Sequence, residues 1–132
     1  PEQPGRRCTM SAGVALCLLS AGKTTMFAAS IFTLSWTHSV QKTEWREEWS
    51  VTPAGLQLTQ ASVKGSGAGM EPGPDAVLRD GWWTWQPALP VQPRLSLAAS
   101  GATGGGWTLC AGPECREIGA EAGETAVLSP CR

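Results

Sequence analysis

Between Phe32 and Val51 apolar and polar residues alternate in two runs separated by a short polar segment. Phe32, Leu34, Trp36, His38 and Val40 share one face of the first run, and Thr33, Ser35, Thr37 and Ser39 share the other, the period-2 pattern of a half-buried strand. In the second run Trp45, Glu47, Trp49 and Val51 alternate with Arg46, Glu48 and Ser50. If Gln41, Lys42, Thr43 and Glu44 form a four-residue loop, the runs make a hairpin with Val40 opposite Trp45, His38 opposite Glu47, Trp36 opposite Trp49 and Leu34 opposite Val51. A slip of one residue would turn the tryptophans to water, so the pattern argues for this register.

The same alternation predicts further strands. Val14–Leu19 and Thr25–Ala29 flank Ser20-Ala21-Gly22-Lys23, a hairpin with a Gly-containing turn. Thr52-Pro53-Ala54-Gly55 is a turn with Pro early and Gly late, after which Leu56, Leu58 and Gln60 resume the alternation through Lys64. Residues 76–85 contain another strand, ending in Trp82, Trp83 and Trp85. Neighbours on one strand point to opposite faces, so either Trp82 or Trp83 lies at an edge, a bulge or a binding surface. Pro87, Pro90 and Pro93 mark an extended connector, and Arg94–Ala98, Gly106–Cys110 and Cys115–Ile118 read as short strands. The expected fold is therefore all-β, a small antiparallel sandwich or barrel of about eight strands. Residues 1–10 read as a disordered leader, 11–118 as a single β domain and 119–132 as a flexible tail.

Composition agrees with this class. Sixteen glycines, ten prolines and seven tryptophans, with no tyrosine, suit short strands and tight turns around an indole-rich core. A chain of 132 residues suits one domain, which at this size buries roughly two-thirds of its unfolded surface. Charged residues are only 16% and the net charge is −1, so no electrostatic footprint for nucleic acid or an anionic membrane is present. Arg6 and Arg7 before the apolar run Met10–Leu19 resemble a secretory signal, but the run is too short to span a bilayer, which needs about twenty apolar residues, and it reads as strand.

Candidate chemistry is sparse. Directly opposed, His38 and Glu47 would bring their Cβ atoms to about 5 Å, and the pair serves either as a hydrogen-bonded structural unit or as part of a binding site. The run Gly65-Ser66-Gly67-Ala68-Gly69-Met70-Glu71 offers successive backbone N–H groups to an anion, or else acts as a hinge or bulge. It lacks the ending of a phosphate-binding P-loop. Ser39 points away from its neighbour His38, so a hydrolase would have to use Ser66 with His38. Glu71 and Asp75 beside one histidine are too few for a metal centre, and no cofactor is implied. Of five cysteines, Cys110 and Cys115 flank a turn sequence, Ala-Gly-Pro-Glu, and either close a disulfide in an oxidising compartment or pack reduced.

The stretches Phe32-Thr-Leu-Ser-Trp-Thr-His-Ser-Val40, Glu44-Trp-Arg-Glu-Glu-Trp49, Gly65-Ser-Gly-Ala-Gly-Met-Glu-Pro72 and Asp80-Gly-Trp-Trp83 together resemble a bacterial domain-of-unknown-function family, number eighteen-fifty. The resemblance spans roughly residues 14–118. Members are often encoded beside TRAP-type transporters of the TAXI class, which take up small organic acids and other anionic solutes. The resemblance therefore implies an accessory or small-anion-binding domain linked to solute uptake, leaning towards a periplasmic location. In that reading His38, Glu47, Gly65, Ser66, Gly67, Gly69 and Glu71 line the ligand site, and Trp82 or Trp83 covers it or contacts a transporter subunit. The rival expectations are an interaction module without a ligand, carried by Trp82 and Trp83, and the Ser66–His38 hydrolase.

Overall fold

The computed structural model describes residues 14–37, 43–64, 75–98, 106–119, 123 and 125–131. Eleven strands and no helix occur among them: β1 Leu16–Ser20, β2 Lys23–Phe27, β3 Ile31–Thr37, β4 Glu44–Thr52, β5 Gly55–Lys64, β6 Val77–Arg79, β7 Trp82–Trp85, β8 Leu95–Leu97, β9 Trp107–Ala111, β10 Glu114–Ile118 and β11 Ala126–Pro130. They form two antiparallel sheets, a smaller one in the order β2-β1-β11-β8 and a larger one in the order β10-β9-β3-β4-β5-β7-β6. The sheets face each other as a sandwich, and neither closes into a barrel.

The core lies between them. Leu16, Leu18, Phe27, Leu97, Ala126 and Leu128 come from the smaller sheet, and Phe32, Leu34, Trp49, Val51, Leu56, Leu58, Leu109, Ala111 and Ile118 from the larger. Each strand buries alternate residues, as in Leu16 and Leu18 or Ala126 and Leu128. Arg116 at the β10 edge reaches the β2 edge, donating to Thr25 Oγ1 at 3.3 Å with its guanidinium 5.4 Å from the Phe27 ring centre.

Turn chemistry sets the hairpins. Thr52 Oγ1 accepts from the backbone N–H groups of Ala54 and Gly55 at 3.2 and 3.1 Å, closing the β4–β5 turn. Asp80 and Gly81 both take positive φ, 55° and 84°, the requirement of a two-residue type I′ turn, so residues 76–85 hold two strands where one was expected. Gly55 has φ 150°, and a Cβ there would collide with the carbonyl of Gln92. That contact belongs to the bridge in which Leu56 and Gln92 exchange backbone hydrogen bonds of 2.6 and 2.8 Å, seating the proline-rich connector along β5.

Three further sequence expectations change. The β3–β4 register is Phe32 opposite Trp49, Leu34 opposite Glu47 and Trp36 opposite Trp45, four residues away from the expected pairing. An even slip keeps every side chain on its expected face, so alternation alone could not exclude it. It yields two aromatic cross-strand pairs, Phe32–Trp49 and Trp36–Trp45, with ring centres 6.3 and 6.2 Å apart, in place of one. Second, the expected continuation through Leu56, Leu58 and Gln60 is broken by a bulge at Thr59, whose hydroxyl donates to the Glu48 carbonyl at 3.0 Å. The bulge reverses the alternation, sending Ala61 and Val63 inward and Gln60 and Ser62 to the outer face.

The third is the end of the chain. Within the expected tail, Ala126–Pro130 forms β11, paired on both sides between β1 and β8. A disulfide joins Cys17 of β1 to Cys131 just after β11, with Cα atoms 5.0 Å apart. A five-residue strand carries few hydrophobic positions, and its stability comes from its two neighbours, which local pattern does not reveal. The expected leader lies outside the described residues. Of the two alternatives that the sequence left open for Cys110 and Cys115, the structure has the disulfide, with the two residues directly opposed on β9 and β10.

Candidate functional site

The larger sheet carries polar and aromatic groups on both faces, and its β4–β5–β7 region organises each. Inward, Leu109, Leu34, Glu47, Ala61 and Trp85 form one row across five strands through successive register pairs. Beside it Trp36, Trp45, Val63 and Trp83 form a second row. Trp36 and Trp45 stack, and Trp107 of β9 packs on Trp36 with ring centres 4.9 Å apart and a 55° tilt. Trp85 meets Trp45 edge-on, at 81° and 6.4 Å. Trp36, Trp45, Trp83, Trp85 and Trp107 are each only partly buried.

Glu47 stands in this indole surface. Its Oε1 accepts a hydrogen bond of 3.0 Å from Nε1 of Trp49 on the same strand face. Burial raises its pKa, and the Trp49 bond opposes that rise without cancelling it. The Nε1 of Trp45 is buried and donates to no group among the described residues.

The outer face is different in character. Arg46, one residue from Glu47 and so on the opposite side, places its guanidinium carbon 4.2 Å from the ring centre of Trp82, with Lys64 Nζ at 5.7 Å from the same ring. Ser62 and Thr84 share a 3.0 Å hydroxyl–hydroxyl hydrogen bond on this face. Between the β6–β7 hairpin and β4–β5 runs an open groove of about 540 Å³, lined by Arg46, Gln60, Ser62, Arg79, Trp82 and Thr84 among others. That is within the usual range for small-molecule sites, about 300–1,000 Å³. Among the described residues no carboxylate pairs with Arg46 or Arg79, although Asp75 and Asp80 also reach the groove wall.

The expected site residues are thus distributed. Glu47 faces Leu34, which removes the directly opposed His38–Glu47 pair. His38 itself, and Gly65, Ser66, Gly67, Gly69 and Glu71, lie outside the described residues, as does the Ser66–His38 arrangement. Trp82 points outward and Trp83 inward, so Glu47 and Trp82 belong to opposite faces and do not line one pocket. Sequence reading passed over Arg46 and Arg79. The signal available was the outward parity of Arg46 with respect to the inward tryptophans, together with the Asp80-Gly81 turn that folds Arg79 back beside Trp82.

The class is an all-β domain, two antiparallel sheets packed as a sandwich, with a groove on one face of the larger sheet and indoles on the other. Residues 32–118 match the family model described as "Domain of unknown function (DUF1850)", and the chain belongs to that family. The match runs from β3 through β10 and so takes in all seven strands of the larger sheet. Neither the curated proteins nor the solved structures provide a match to this chain. Among the described residues no helix is long and apolar enough to cross a membrane.

Proposed function

We propose that this domain is a non-enzymatic accessory that binds a small organic anion in the outer groove of its larger sheet. The observation that carries the reading is Arg46 laid on Trp82 at 4.2 Å, with Arg79 nearby and no carboxylate of the described residues paired with either. A guanidinium fork matches a carboxylate in two parallel hydrogen bonds, and stacking on an indole holds it in place before the ligand arrives. Ser62, Thr84 and Gln60 add neutral hydrogen-bonding groups to the groove wall. The ligand class agrees with the family resemblance to domains encoded beside TAXI-class TRAP transporters, and the wider role we propose is service to such uptake. Two disulfides fit an oxidising compartment and support a periplasmic site of action.

Isothermal titration against a panel of mono- and dicarboxylates tests this. Binding is expected to weaken about tenfold or more in Arg46→Ala, corresponding to the loss of about 1.4 kcal/mol or more. Silence across the panel, or affinity unchanged in both Arg46→Ala and Arg79→Ala, would overturn the reading. Co-purification with transporter subunits from the native host tests the uptake role separately.

A second reading, a protein-interaction module without a ligand, is favoured by β6, an edge strand of the larger sheet on which Val77 and Leu78 are each 54% exposed. Capture of a partner that survives Arg46→Ala but disappears on Leu78→Lys would select it.

A further inference from the structure

The inner face of the larger sheet holds a feature that anion binding does not use. Trp45 and Trp85 meet at 81° with ring centres 6.4 Å apart, forming a right-angled indole corner. Glu47 precedes Trp85 in its cross-strand row by two strands, about 10 Å at ordinary strand spacing. The residue between them is Ala61, the smallest side chain in that row and itself buried, with a carboxylate on one side and an indole on the other. Trp45 lies two residues from Glu47 on the same face of β4.

The corner is braced. Trp36 stacks on Trp45 at 7°, and Trp107 packs on Trp36 and donates from Nε1 to the carbonyl of Ala98 at 3.2 Å. On the other flank Trp49 holds Glu47 Oε1, and Trp49 is itself buried against Phe32. Glu47 forms no ion pair with any described residue, and its one side-chain hydrogen bond is the one from Trp49. Indole faces attract cations through the ring quadrupole and do so most strongly where the cation sheds water, which alkylated ammonium groups do readily. A lone carboxylate is too few ligands for a metal ion.

We propose that this indole corner is a second binding site, one that takes an alkylated ammonium group of a small molecule, with Trp45 and Trp85 as its walls and Glu47 as its counter-ion. Glu47 and Arg46 occupy opposite faces of β4, so the two sites differ in their charged groups, while Trp85 also borders the outer groove.

The probe is tetramethylammonium chloride, titrated into the full chain at constant ionic strength against sodium chloride, with intrinsic tryptophan fluorescence and calorimetry as readouts. Saturable binding is expected, weakened at least tenfold in Glu47→Gln and in Trp85→Ala and unchanged in Arg46→Ala. Trp85→Phe, which keeps an aromatic face, is expected to retain most of the affinity, and near-ultraviolet circular dichroism checks that each variant is folded. Neopentyl alcohol, a neutral molecule of similar shape, is expected not to compete. Absence of a saturable response, equal binding of the neutral isostere, or full affinity in a folded Glu47→Gln variant would each overturn the proposal. Because the carboxylate panel reads Arg46 and this titration reads Glu47, either site can fail without the other.

Discussion

Trp49 and Glu47, two residues apart on the same strand, are joined by a 3.0 Å hydrogen bond from indole Nε1 to carboxylate Oε1, on the sheet face that also carries the core. The bond gives a half-buried acid one donor, while desolvation still raises its pKa.

That balance sets the pH dependence of stability. A carboxyl whose folded pKa lies above its unfolded value favours the folded state while protonated, and that contribution is lost as pH rises from the ordinary carboxylate value through the raised one. Glu47→Gln keeps the acceptor for Trp49 without the charge. The variant is therefore expected to melt above the parent at neutral pH, with the difference shrinking on acidification, as calorimetric scans across the acid range would reveal. A difference that grew towards acid pH would contradict it.

Leu34 stands opposite Glu47 and is 1% exposed, with Leu109 opposite it on the other side. Leu34→Ala removes this filling from the middle of the larger sheet and is expected to cost about 2–5 kcal/mol by denaturant titration. Ile31→Ala, on the same strand but 52% exposed, is expected to cost far less, within about 1 kcal/mol.

Gly55→Ala introduces a Cβ where the Gln92 carbonyl passes and where φ is 150°. Loss of about 1–3 kcal/mol is expected, together with faster amide exchange at Leu56 and Gln92, whose mutual hydrogen bonds the clash displaces. Exchange rates equal to the parent's at both amides would refute this account.

The two disulfides close loops of very different size, with sequence separations of 114 and 5. In the chain-entropy model the long closure contributes about 5 kcal/mol and the short one about 2 kcal/mol. Replacing Cys17 and Cys131 with serine is expected to lower the denaturant midpoint more than replacing Cys110 and Cys115. It also frees the β1 and β11 ends, where Cys131 N–H donates to the Ala15 carbonyl at 2.9 Å.

The sequence by itself determined the all-β class, the β1–β2 hairpin, the Thr52–Gly55 turn and the inward faces of β3 and β4, and it set Cys110 and Cys115 across a turn while leaving bridge and free thiols open. These follow from alternation and turn chemistry, which act between residues near in sequence. Tertiary structure decided what alternation leaves degenerate. The four-residue slip that sets Leu34 against Glu47 preserves every face, and stacking of Phe32 on Trp49 and Trp36 on Trp45 selects it. The Thr59 bulge puts Ala61 between Glu47 and Trp85, and β11 is ordered by β8 and by β1, a strand more than a hundred residues earlier that also carries Cys17. Such long-range pairings depend on which edges and rings become available once the sheets pack, a quantity no local window of the chain contains.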